Sequence, residues 1–295
     1  MKTQYSIHEN DINFGADRVL FIEGTNRSFD IECLQVLFEG IEKPPKLAPL
    51  SASFSLSSVA QALKSYTPQC FFVLDRDHHD DEFIERIWND FPNGCIPRLL
   101  YWRKKEIENY FLDPELLMLS PIMNERNRDE IENIITKYAN MYLFMFVANR
   151  VIVEIRERLK KKWIDIYKNR DDFKDIETTK RQLCNNPQLV NHCKLHQELI
   201  DPRWIQKQIE ENLLIFTGDG EKVEWGKGRW LDLMPGHEIL MGVISECSYI
   251  STKSPKDFKN VVNCIIAQIM KHTDSLPEDF RFIRNFFYAG TTCYG

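Results

Sequence analysis

The stretch from Cys70 to Asp77, Cys-Phe-Phe-Val-Leu-Asp-Arg-Asp, constrains the fold more than any other part of the chain. A short apolar run rich in aromatic and β-branched residues is typical of a central strand covered on both faces. Two carboxylates follow it, and side chains two residues apart in an extended segment point the same way. Asp75 and Asp77 could therefore face one ion or substrate, although an acidic loop that merely follows a strand is the alternative.

A second apolar run, from Arg18 to Gly24, also ends in an acid, Glu23. With two further runs these stretches predict four strands, at 18–23, 47–52, 70–74 and 97–102, separated by helical patterns at 27–39, 57–66 and 81–91. Short helical crossovers favour parallel pairing of the strands that they connect. We therefore expect an α/β fold with a mostly parallel sheet flanked by helices, and with Glu23 and Asp75 at the ligand-binding carboxyl ends of strands.

The pattern becomes helical after about residue 120, where a long periodic stretch over 128–163 is followed by several shorter ones. These shorter helices are predicted near 202–215, 231–250, 255–271 and 277–288. We therefore divide the chain into a metal-binding domain at 1–118 and a helical domain for substrate and partner contacts at 119–295.

Composition and charge limit where the protein is expected to act and what it is expected to bind. The chain has no apolar run of membrane-spanning length and no apolar N-terminal region, so we expect neither membrane insertion nor export. Its eight cysteines include no CxxC pair, which favours a reducing cytoplasm. The net charge of −6 argues against a nucleic-acid partner, but the acidity is concentrated early in the chain, and residues 121–200 are slightly basic. An acidic site joined to a more basic region is compatible with a nuclease.

The acids at the two predicted strand ends suggest a metal site. A hard divalent cation binds carboxylates from neighbouring strand ends and keeps positions open for phosphate and water. We therefore expect Glu23, Asp75 and Asp77 to hold Mg²⁺ or Mn²⁺ and to form the catalytic centre, with Glu23 as a metal ligand or general base.

The order strand-Glu23-Gly24, then strand-Asp75-Arg-Asp77, resembles the Toprim family, whose fold is shared by bacterial primases, topoisomerases and OLD nucleases. The segment Arg103-Lys-Lys-Glu-Ile-Glu-Asn-Tyr110 is similar to a segment of the Toprim effectors of PARIS antiphage systems. The resemblance implies a Toprim-like sheet and a metal-dependent endoribonuclease. It also implies an ABC-type ATPase partner that holds the nuclease until infection, and release of a homodimer that cleaves host tRNA.

The sequence departs from this family at two places. Many Toprim nucleases have a second acid four residues after the glutamate, where this chain has Arg27, and Asp30 is the next acid available. The stretch Pro235-Gly236-His237-Glu238 resembles a Gly-Lys element of related nucleases, with histidine in place of lysine. His237 is therefore a candidate catalytic residue that would bind phosphate when protonated, and a plain helix start is the alternative.

Several cations are candidates for substrate binding. Arg103, Lys104 and Lys105 could clamp a phosphate after the fourth strand, or form a solvated strand end. Lys160 and Lys161 lie in a basic helical run that could contact RNA or form a solvated face.

The neighbouring polar residues have supporting roles in this interpretation. Glu106 or Glu108 could support the metal site, and the two side chains point together only if the segment is extended. Asn109 and Tyr110 are expected to fix the turn.

Other functions remain open at this stage. A haloacid-dehalogenase-type phosphatase would use Asp75 as a nucleophile, but it usually has Thr or Val where His79 stands. A DxD glycosyltransferase is a further possibility, and both classes leave Glu23 unexplained. A Toprim DNA endonuclease and a non-catalytic interaction subunit are the remaining alternatives.

Overall fold

A computed structural model describes residues 18–23, 29–50, 69–76, 79–94, 98–121, 123, 125–160, 179–181, 185–247 and 255–289. The chain divides into two compact units, the first formed by residues 1–138 together with 231–295 and the second by residues 139–230. The first unit is thus larger than the stretch 1–118, because helices from the end of the chain belong to it. The role predicted for residues 119–295, contacts with substrate and partner, stays a prediction.

The first unit contains a four-stranded parallel sheet in the order β2-β1-β3-β4. The strands are β1 (Val19–Glu23), β2 (Lys46–Leu50), β3 (Cys70–Leu74) and β4 (Leu99–Tyr101). In the register, Val19 lies opposite both Lys46 and Cys70, and Phe72 lies opposite Leu99. The predicted parallel α/β sheet is confirmed.

Every described element after β4 is helical. The α-helices of the described residues are α1 (Phe29–Leu37), α2 (Asp81–Asp90), α3 (Pro114–Leu117), α4 (Arg128–Lys160), α5 (Pro187–Leu199), α6 (Pro202–Thr217), α7 (Trp230–Leu233), α8 (Gly236–Cys247), α9 (Pro255–Met270) and α10 (Glu278–Ala289). Two 3₁₀ helices, Ile107–Phe111 and Thr273–Ser275, complete them. The helical second half of the chain is thus confirmed, whereas the helix predicted at 57–66 lies outside the described residues.

Two helices differ from their predictions. The pattern at 231–250 predicts one helix, but the structure has α7 and α8, because Pro235 lacks an amide hydrogen and interrupts the helical hydrogen bonds. The sequence patterns did not predict α5. None of the helices in the described ranges is both long enough and apolar enough to cross a membrane.

The strands are buried because apolar side chains cover both of their faces. Phe21 and Phe72 stack on neighbouring strands with their ring centroids 5.0 Å apart. Phe71 meets Phe286 and Phe287 of α10 at 5.3 and 5.2 Å between ring centroids. The final described helix therefore packs on the sheet and completes its core.

The second unit is closed by its glycine-rich loop. Asn140 exchanges two hydrogen bonds with the backbone of Val223, at 2.9 and 2.8 Å. The amide of Arg229 donates to the carbonyl of Ile215 in α6 at 2.9 Å. Gly228 has a φ of +60°, and a Cβ there would lie 2.0 Å from the Phe216 carbonyl oxygen, so only glycine fits.

A buried charge network fastens α10 to the segment after β4. Asp279 is buried, and its carboxylate pairs with Arg103 Nη1 at 2.5 Å and accepts the hydroxyl hydrogen of Tyr110. Arg103 also pairs with the more exposed Glu85 at 2.7 Å. Removing one partner of a buried pair leaves the other charge uncompensated, which is costly.

We expect Asp279→Ala to lower the free energy of unfolding by about 3 kcal/mol, because Arg103 and Tyr110 lose their buried partner. Glu85→Ala is the matched control, since its side chain is 50% exposed and should contribute about 1 kcal/mol or less. Urea denaturation measures both changes. Equal losses in the two variants would contradict the buried network.

Candidate functional site

The strand order creates a switch point between β1 and β3. From β1 the chain moves outward to β2, and it then returns past β1 to β3 and continues outward to β4. Helical connections leave such neighbouring strands in opposite directions and open a crevice at their carboxyl ends, where α/β sheets bind ligands. Because Ile22 pairs with Val73, Glu23 and Asp75 both reach this edge.

Three further acids lie close enough to act on these two electrostatically. Asp30 is at the start of α1, Glu106 precedes the 3₁₀ helix Ile107–Phe111, and Glu108 lies within it. Burial, followed by the charges of Glu108, Glu106 and Glu23, raises the pKa of Asp30 to about 8. Burial, followed by the charges of Asp30 and Glu23, holds the pKa of Asp75 well above its usual range. Ionising all the carboxylates at this edge would therefore cost considerable free energy.

Such a group can be relieved by protons or by a cation. Carboxylate oxygens are the donors that Mg²⁺ and Mn²⁺ prefer, so the chemistry of these side chains fits the predicted ion. Within the described ranges, however, no three Asp, Glu, His or Cys side chains are grouped as metal ligands. Asp77 and Arg27 lie outside the described residues, so the structure brings together Glu23 and Asp75 of the predicted ligands.

Glu106 anchors the beginning of α8. Its Oε2 accepts the backbone hydrogens of Gly236 at 2.9 Å and His237 at 3.2 Å, which satisfies amides that a helix start leaves free. Burial and the nearby Glu108 raise the pKa of Glu106, and the bond from His237 opposes them. Glu106 therefore acts as a remote cap of α8.

Asn109 completes this anchor. Its side chain is buried, accepts from the amide of Glu106 at 3.0 Å and donates to the carbonyls of Leu231 and Met234 at 3.1 and 2.8 Å. A Cβ on Gly236 would come within 2.7 Å of the Asn109 amide nitrogen, so the helix start approaches too closely for any other residue. The prediction that Asn109 fixes a turn understates it, because it also joins segments more than a hundred residues apart.

The anchor places His237 beside Glu108. Nδ1 of His237 lies 2.9 Å from Oε1 of Glu108, whose side chain is almost completely buried. This hydrogen bond raises the pKa of His237, against the opposing effect of partial burial. Because the imidazole is 55% exposed, it can also reach a bound ligand. His237 lies in the first turn of α8, as the alternative of a plain helix start has it, and it also borders the acidic edge.

The predicted phosphate clamp is largely engaged in internal contacts. Arg103 lies 4.3 Å from the ring centroid of Trp88, in addition to its pairs with Glu85 and Asp279. Lys104 Nζ donates to the Asn109 carbonyl at 3.3 Å and lies 3.7 Å from Asp232 Oδ1. A phosphate would have to compete with carboxylates for both groups.

The other predicted cations are less closely defined. Lys105 is half-buried, and its charge lowers the pKa of Glu106, so it lies near the acidic edge. Lys160 ends α4, and Lys161 lies outside the described residues. Among the predicted substrate-binding cations in the described part of the chain, Lys105 is thus linked to this edge by the effect of its charge on Glu106.

Comparisons with known proteins added no relative: the chain matched no family model, no curated protein and no solved structure. The resemblance to the Toprim family therefore stays a prediction that rests on the motifs around Glu23, Asp75 and Glu106. Asp30 is the acid that sequence reasoning noted without assigning to the site. Its signal was its place as the next acid after Arg27, at the start of a predicted helix.

Asp30→Asn tests the electrostatic strain of this edge in chelator-treated protein. Between the unfolded pKa of 3.8 and the folded value of about 8, the folded state binds more protons than the unfolded state, so the free energy of unfolding falls as pH rises. The variant should lose less stability from pH 5 to 8, and exceed the wild type at pH 8 by at least ~1 kcal/mol.

Glu39→Gln, at an exposed position just after α1, is the control and should keep the wild-type slope. Urea denaturation at several pH values measures the slopes. A wild-type slope in Asp30→Asn would show that Asp30 is not strained by its neighbours.

Proposed function

We propose that this chain is a metal-dependent nuclease that cleaves phosphodiester bonds at the carboxyl edge between β1 and β3. The observation that carries the proposal is the meeting of Glu23 and Asp75 at the switch point, within a group of acids whose charges raise the pKa of Asp30 and of Asp75. Structural acids are usually paired with cations, whereas acids that strain one another are characteristic of functional sites. A bound divalent cation would offset the repulsion between these carboxylates.

The predicted ligands are Glu23, Asp75 and Asp77, and Asp30 lies close enough to Glu23 and Asp75 for their charges to interact. Bound Mg²⁺ or Mn²⁺ would polarise the scissile phosphate and stabilise the leaving oxygen. In this proposal Glu23, at the end of β1, binds the metal or accepts a proton from the attacking water. Glu23 and Asp75 lie at the ends of strands rather than on a long loop, and strands hold side chains more rigidly than loops do.

His237 supplies a second function at this edge. Hydrogen bonding to Glu108 favours its protonated form, so it carries a positive charge at a higher pH than an ordinary histidine. A protonated imidazole can donate a hydrogen bond to a phosphate oxygen. Pairing with Glu108 thus favours a positive charge on His237, at a position where a lysine would be charged at any pH.

Three finer parts of the proposal rest on the resemblance to PARIS effectors: a tRNA substrate, an ABC-type ATPase partner and an active homodimer. A location in the reducing cytoplasm rests on the cysteine pattern. Lys105, whose charge acts on Glu106, is a proposed phosphate contact, and RNA contact by Lys160 and Lys161 is a separate part of the proposal. DNA cleavage is the main alternative outcome.

The test incubates purified protein with total cellular RNA and with supercoiled plasmid, in Mg²⁺ or Mn²⁺, with and without a candidate ATPase partner. Glu23→Gln and Asp75→Asn should lower cleavage by at least about 100-fold, because each removes a carboxylate from the proposed centre. Both should retain the wild-type thermal unfolding midpoint or exceed it, since they reduce repulsion.

Glu39→Gln is the control and should cleave like the wild type. Sequencing the ends of the products distinguishes tRNA from other RNA, and nicking of the plasmid would move the substrate to DNA. Intact RNA and plasmid under every condition would contradict the nuclease proposal, and so would full activity in chelator.

A further inference from the structure

Arg76, which separates the two acids of the Asp75-Arg76-Asp77 motif, is buried. Its side chain is only 5% exposed, and a buried guanidinium is expensive unless its donors are satisfied. Arginine at this position is therefore held by specific partners and is not a solvated residue of an acidic loop.

The partners of Arg76 come from three segments. Nη1 donates to the Arg103 carbonyl at 2.7 Å, Nε donates to the His79 carbonyl at 3.1 Å, and Nη2 pairs with Asp81 at the start of α2. The Arg76 amide also donates to the Lys105 carbonyl at 3.2 Å. Arg76 thus ties the end of β3 to the segment after β4.

Both tied segments carry acids of the candidate site. Asp75 is the residue immediately before Arg76, and Glu106 immediately follows the Lys105 carbonyl that accepts from it. The hydrogen bonds from the Arg76 side chain and from its backbone amide both restrain this part of the chain. A rotation of the peptide between Asp75 and Arg76 would therefore break both kinds of bond. The position of Asp75 is consequently determined by Arg76 as well as by the sheet.

We propose that Arg76 is a positioning residue that holds Asp75 in place for a divalent cation, an inference that rests on the proposed function. Arg76 does not contact the cation, because two cations repel and its guanidinium is buried among acceptors. A planar guanidinium with five donors can serve three acceptors at fixed angles, whereas the single nitrogen of lysine cannot. Arginine is therefore required here for geometry and not only for charge.

The variant Arg76→Lys keeps the charge and removes this geometry. We expect its dissociation constant for Mn²⁺, measured by isothermal titration calorimetry, to rise at least about 10-fold, in the range seen when groups that orient metal ligands are removed. The Mn²⁺ concentration for half-maximal cleavage should rise in parallel. Arg86→Lys, at an exposed position of α2, is the matched control and should bind Mn²⁺ like the wild type.

A second variant guards against unfolding of Arg76→Lys. Asp81→Asn removes the negative charge that pairs with the guanidinium and weakens this contact, and because the Asp81 side chain is 55% exposed, the fold should tolerate the change. Its Mn²⁺ dissociation constant should rise by a smaller factor, about 2- to 5-fold, because the two carbonyl contacts remain. If Arg76→Lys is unfolded at the assay temperature, Asp81→Asn decides.

The outcomes separate the two proposals. If the wild type binds no Mn²⁺, or if Asp75→Asn binds it unchanged, the proposed function fails. If Asp75→Asn loses binding while folded Arg76→Lys and Asp81→Asn bind Mn²⁺ like the wild type, Arg76 is only structural and the inference fails alone. Weaker binding in Arg76→Lys with Arg86→Lys unchanged supports it.

Discussion

Repulsion between carboxylates at one edge of the sheet is the constraint around which the first unit is arranged. Asp30 raises the pKa of Asp75, and the charges of Glu23, Glu106 and Glu108 raise the pKa of both. A fold selected for stability alone would have replaced or paired such groups, because each pKa unit represents about 1.4 kcal/mol. The surrounding segments must therefore hold the acids in place against a force that separates them.

Arginines after two of the strands supply much of that restraint. Arg76 follows β3 and binds three segments, and Arg103 follows β4 and pairs with Glu85 and Asp279. Asp279 lies in α10, so this helix helps to fix the segment after β4 that carries Glu106. Arg76 and Arg103 thus stabilise the scaffold around the strand ends.

The sequence predicted what depends on local pattern. Apolar runs identified β1 and β3, and an acid at the end of each predicted the edge where Glu23 and Asp75 meet. The pattern could not show that Asn109 holds the start of α8, or that Arg103 pairs with Asp279, because these contacts join residues 125 and 176 positions apart. An arginine that is solvated at the surface and one that forms an internal ion pair cannot be distinguished in the sequence. The structure distinguishes them by showing the partner.

The start of α8 shows how one helix terminus can serve both scaffold and site. Its first amides carry partial positive charge that could bind a phosphate, but Glu106 already accepts two of them. Partial burial disfavours a protonated imidazole at His237, and the hydrogen bond that Nδ1 donates to Glu108 outweighs it, since the pKa of His237 is raised. Glu106 thus caps the helix terminus, while Glu108 favours the protonated form of His237. The group at this terminus that can gain a positive charge is therefore an exposed side chain that responds to pH, because Glu106 already accepts from the backbone amides.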